Sequence, residues 1–72
     1  MTNRKLLEDK IKQKGFKKSY LAEQLGVSRG TFSALLNNSA EFKASQIYKL
    51  CKILDIHDEA TAKSIFFAHS GA

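Results

Sequence analysis

The residues best suited to chemistry in this chain lie between Lys18 and Asn37, in the run KSYLAEQLGVSRGTFSALLN. They are not acid–base or nucleophilic groups. Arg29 is the single long polar side chain in the second half of the run. Ser28 precedes it, Gly30, Thr31 and Ser33 follow, and Asn37 closes the segment. A guanidinium among hydroxyls and amides, carried on a short helix, suits hydrogen bonding to base edges in the major groove. A good bidentate pair gives ~1–3 kcal/mol of base discrimination, and this face supplies one such reader. Gly30 also weakens its own helix by ~1 kcal/mol relative to alanine. Sequence-specific affinity from this face alone is expected to be limited, which points to a dimer, a partner protein or both.

Other chemistry has no candidate. No Ser-His-Asp or Cys-His set converges and no Gly-rich phosphate loop occurs, so the chain reads as a non-enzyme. His57 and His69 fall in different segments with no second ligand at metal spacing, so neither metal nor other cofactor is expected. No small-molecule ligand is expected either. The lone Cys51 lies on an apolar stripe and reads as core filling. It excludes an intramolecular disulfide and fits a reducing cytoplasm. No apolar run approaches the ~18–20 residues of a membrane span.

Charge names the partner class. The chain of 72 residues carries a net charge of +5, and 43% of its residues are apolar. The charge is uneven. Arg4, Lys5, Lys10, Lys12, Lys14, Lys17 and Lys18 against Glu8 and Asp9 leave residues 1–18 at +5. Residues 19–54 stand at +2 and residues 55–72 at −2. One end of the molecule is therefore a basic footprint suited to a polyanion, most naturally double-stranded DNA. The competing reading of the basic first helix is a solvated face, because only some of its lysines can reach phosphate in one docking pose.

Helical periodicity supplies the scaffold, and nothing alternates with period two. Leu6, Leu7 and Ile11 share a face of a first helix near 3–14, capped by Thr2 or Asn3 and stopped by Gly15. Phe16 is expected to fold back onto the core. Ser19 can cap a second helix whose inward face is Leu21, Ala22 and Leu25, ended by Gly26. Ser28 can cap a third, with Phe32, Leu35 and Leu36 inward, broken by Asn37-Asn38-Ser39. Ile47, Leu50, Cys51 and Leu54 mark a fourth helix. Asp58 can cap a fifth, containing Ala62, Ile65 and Phe66. The expected fold is an all-α, compact five-helix domain spanning 1–72.

Within it, residues 18–37 have the mechanics of a helix-turn-helix. Ala22 is small where two helices cross, Gly26 ends the first helix in a left-handed conformation, Val27 points inward and Ser28 starts the next helix at once. This segment resembles the helix-turn-helix of the lambda-repressor and Cro superfamily, through Leu-Ala-Glu-Gln-Leu-Gly-Val-Ser at 21–28 and Ala-Leu-Leu-Asn at 34–37. The whole chain looks like a small temperate-phage Cro-type or modulator-of-repression protein.

That resemblance implies base-edge roles for Ser28, Arg29, Gly30, Thr31 and Ser33. It implies phosphate roles for Lys18, Asn37 and Asn38, with Lys17 flanking the motif. The family favours glutamine where Lys18 stands, which leaves the phosphate contact but not the bracing of the recognition helix. Phe32 is bulkier than the family's Val or Ile and is expected to widen the helix crossing.

Phe66 and Phe67 are adjacent, so one helix cannot bury both on a single face. One belongs to the core, and the other offers a partner interface. Two functions follow from these readings. The first is a regulator of a phage-type genetic switch that acts on promoter or operator DNA together with or against a repressor. The second is an antirepressor-like module that binds and inactivates a repressor protein with little DNA binding of its own.

Overall fold

Five helices follow one another in the computed structural model, which describes residues 1–68: α1 (Arg4–Lys14), α2 (Lys18–Leu25), α3 (Arg29–Leu36), α4 (Ala44–Ile53) and α5 (Glu59–Phe66). His69 lies outside the described residues. The all-α, five-helix architecture is the one expected, and no strand occurs among the described residues.

Local chemistry sets most of the boundaries. The Asn3 side chain accepts from Leu6 N–H at 3.1 Å, and Asp58 Oδ2 accepts from Thr61 N–H at 2.8 Å, so both act as N-caps. Gly15 and Gly26 end α1 and α2 with φ of 79° and 71°, the left-handed region where a side chain is disfavoured. Lys43 precedes α4, and its N–H donates to Gln46 Oε1 at 2.8 Å.

Two expectations need correction. Ser19 is not a cap: Lys17 takes the N-cap position in an extended conformation, with no side-chain bond, and Ser19 lies inside the first turn. The cap stands two residues earlier than expected, next to Phe16, whose ring stacks on Tyr20 of the first turn at 5.3 Å. Leu6 is not a core residue either; it is 41% exposed. Leu7 and Ile11, spaced i and i+4, own the core-facing stripe, and Leu6 is turned about 100° away from Leu7. It lines the groove between α1 and α5, beside Ala60, Thr61 and Ser64.

The core joins all five helices: Leu7, Ile11, Leu21, Ala22, Phe32, Leu36, Leu50, Leu54, Ile56, Ile65 and Phe66 are buried in one cluster. Leu35 is buried as well, and Leu54 sits just past the end of α4 rather than inside it. Each fully buried Leu or Phe contributes about 1.5–3 kcal/mol. Phe32 is accommodated whole, at 2% exposure. Cys51 is half-buried against this cluster, and burial pushes its thiol pKa up. Phe66 packs edge-on to Phe42 at 5.5 Å, whereas Phe67, one residue on, is 57% exposed.

The first three residues form an extended strap. Asn3 N–H donates to Ile65 O at 2.6 Å and Ala68 N–H to Met1 O at 2.9 Å, tying the strap to the end of α5. Between these, Thr2 is buried and pairs with Asn38, just beyond α3.

Candidate nucleic-acid interface

The α2–turn–α3 unit is built from three consecutive residues. Gly26 N–H bonds back to the Ala22 and Glu23 carbonyls, and Val27 N–H reaches Ala22 O at 3.0 Å, so α2 stops within one turn. Val27 is half-buried against the core. Ser28 Oγ then accepts from Thr31 N–H at 3.0 Å and opens α3. Ala22, 1% exposed, supplies the small contact that lets the two helices close together.

Buried Phe32, Leu35 and Leu36 turn one side of α3 inward, which leaves Arg29, Gly30, Thr31 and Ser33 exposed on the other. Among these, Arg29, Gly30 and Ser33 line an open groove shared with Lys17, Lys18 and Ser19 at the start of α2. The geometry thus brings together residues expected to read bases and residues expected to hold phosphate. The hydroxyls of Ser28 and Thr31 are hydrogen-bonded to each other at 3.0 Å, so Ser28 is engaged as a cap as well as facing outward. Arg29 stays the one long polar side chain on this face.

The expected phosphate residues divide into two groups. Lys17 is exposed and forms no ion pair among the described residues. Lys18 Nζ lies 3.3 Å from Glu8 Oε1, and Asn37 Oδ1 accepts from Arg4 Nη1. Asn38 has both ends of its amide engaged with the Thr2 backbone. It is at φ 63°, the left-handed region that asparagine tolerates better than most residues. Any phosphate contact it makes therefore comes from its backbone or from groups not already paired.

Two residues of this surface entered the sequence reading only as charges of the basic end: Arg4 and Glu8. Arg4 Nε donates to Glu8 Oε1 at 2.6 Å. Hydrogen bonds from Arg4, then from Lys18, hold the Glu8 carboxyl below its usual pKa. The i, i+4 spacing announces the Arg4–Glu8 pair, but nothing local announces their reach to α2 and α3.

Residues 6–57 match the family model of the Cro/C1-type HTH DNA-binding domain. The chain belongs to this family. No curated protein and no solved structure matches it. As a Cro/C1-type domain the chain is a DNA-binding transcriptional regulator, of a family that is typically non-enzymatic. The matched span covers the whole α2–α3 unit and leaves Arg4, the strap and α5 outside it. No described helix of this Cro/C1-type chain is long and apolar enough to cross a membrane.

Proposed function

We propose that the chain, as one helix-turn-helix unit over residues 1–72, regulates a phage-type genetic switch inside a bacterial host cell. It acts on promoter or operator DNA together with or against a repressor. In this reading α3 enters the major groove. Arg29 pairs with a base, with Ser28, Gly30, Thr31 and Ser33 close to base edges, and Lys17, Lys18, Asn37 and Asn38 lie along the phosphates. The observation that carries it is the shared groove in which Arg29 and Ser33 of α3 meet Lys17 and Lys18 at the start of α2. The test is a gel shift on promoter DNA with and without the neighbouring repressor. A selective shift by this protein alone supports a self-sufficient regulator, and no shift in either mixture overturns the reading.

A second reading is supported by the short-chained face of α3 and by exposed Phe67: an antirepressor-like module that binds a repressor. A homodimer seated on Phe67 belongs to the same class of explanation; Phe66, named with it from the sequence, is 4% exposed and serves the core. A stable complex buries about 1,200–2,000 Å² in total, a sizeable share of a molecule with 4862 Å² of accessible surface. Co-expression with the adjacent repressor, followed by size-exclusion chromatography with light scattering, separates the cases. Independent elution as a monomer that binds DNA tightly and selectively would sink the partner reading.

A further inference from the structure

Arg4 precedes the family-matched span, yet its guanidinium reaches the end of α3. Nε donates to Glu8 Oε1 at 2.6 Å, and Nη1 donates to Asn37 Oδ1. The same Glu8 oxygen accepts from Lys18 Nζ at 3.3 Å. One carboxylate oxygen thereby gathers a cation from α1 and a cation from α2 beside Asn37, the residue that ends α3.

We propose that Arg4 is a phosphate-binding residue of the DNA interface, and that Glu8 is the positioning residue that holds Arg4 and Lys18 toward one stretch of the backbone. The inference rests on the reading that α3 enters DNA. The cluster is open: the Arg4 and Lys18 side chains are 49% and 50% exposed, so an arriving phosphate meets both without any part of the fold opening. Because Arg4 donates to Asn37 Oδ1, the Asn37 amide is oriented with its NH₂ donors left over, and these suit an anion. Exposed ion pairs add little to stability. Their value here is aim: a long side chain already held in place has less freedom to lose when it binds.

The experiment uses the full chain and a short duplex of mixed sequence, since phosphate contacts do not depend on sequence. Binding is measured over a series of salt concentrations for wild type, Arg4→Gln, Arg4→Lys, Glu8→Gln and the Arg4→Gln/Glu8→Gln pair. Circular dichroism melts establish that each is folded. Arg4→Gln flattens the log–log salt dependence by about 0.9. Arg4→Lys keeps that slope but binds more weakly, because the ammonium lacks the guanidinium fork. Glu8→Gln weakens binding about threefold, from lost ordering of the cations, although it makes the protein more positive. That loss shrinks when Arg4 is already glutamine.

An unchanged slope in folded Arg4→Gln removes Arg4 from the interface. Tighter binding by Glu8→Gln shows that Glu8 competes with phosphate and overturns its positioning role. In either case wild-type binding still stands. Absence of any salt-dependent binding by the wild type overturns this inference and the DNA reading together.

Discussion

The Asn38 side chain holds Thr2 by both its donor and its acceptor, accepting from the Thr2 N–H at 2.7 Å and donating to the Thr2 carbonyl at 2.9 Å. The two residues stand 36 positions apart, so a single amide fastens the strap to the exit of α3.

Asn38→Ala removes both bonds, at about 0.5–1.5 kcal/mol each. It also places an alanine at positive φ, at about 1–2 kcal/mol. Asn38→Gly loses the bonds but not the backbone ease. Denaturant melts should rank wild type above glycine and glycine above alanine. Equal stability of all three would mean that the Thr2 clamp contributes nothing.

The same substitution should act with opposite sign at two glycines of the motif. Gly26 has φ 71°, and a Cβ built there meets nothing within 4 Å, so Gly26→Ala suffers only the backbone penalty, about 1–2 kcal/mol. Gly30 lies inside α3, and a Cβ there meets only Ser28 Oγ at 3.9 Å. Gly30→Ala should therefore raise stability by up to about 1 kcal/mol. If its DNA affinity falls while its stability rises, Gly30 is there to let the backbone approach DNA closely.

Arg29→Ala should leave the fold intact, because Arg29 is exposed and forms no side-chain bond among the described residues. Discrimination between operator and random DNA should fall by about 1–3 kcal/mol. A specificity ratio that does not change at matched salt would take Arg29 out of base reading.

Replacing Lys17 and Lys18 with glutamine should weaken binding to all duplexes alike. The salt dependence should flatten by about one log–log unit for each lost phosphate contact. A slope equal to that of wild type would make this edge a solvated surface.

Acid should weaken the fold in a defined window. Glu8 is held below its ordinary pKa by Arg4 and then Lys18, Asp55 by His57 and then Lys14, and Asp58 by its bonds to Thr61. A carboxyl with a lowered folded pKa stabilises the protein fully above its unfolded pKa, and that contribution fades as pH falls through the folded value. The melting temperature should be insensitive to these groups near neutrality and drop below about pH 4. Glu8→Gln, Asp55→Asn and Asp58→Asn together should shrink that drop, and an undiminished drop would assign it to other groups.

What could be read in advance was whatever is decided within a turn or two of helix. Gly26, Ser28 and Asp58 act on neighbours three or four residues away, and the i, i+3, i+4 stripes of α3 and α5 mark their buried sides. Ser19 misled because a residue able to cap is not obliged to: α2 opens from Lys17 in an extended conformation, with no side-chain cap at all. Leu6 misled because periodicity gives an apolar side of a helix but not how far a neighbouring helix covers it. In the candidate interface, the outward set on α3 followed from its inward set. The reach of Arg4 to Asn37 and of Asn38 to Thr2 depends on how distant segments meet, which no local pattern encodes.

The strap also sets an order of events. Its bonds join Met1 to Ala68 and Asn3 to Ile65, nearly the full described length, whereas α2 and α3 meet across the three residues Gly26, Val27 and Ser28. Contacts close in sequence form early, and those that close long loops wait for the rest of the chain to be in place. The helical hairpin is therefore expected to assemble first and the strap to dock last. In the native protein the strap is therefore expected to open below the global unfolding free energy, and its amides should exchange with solvent sooner than those of the core helices. The exit of α3 is thus held by the segment expected to release first.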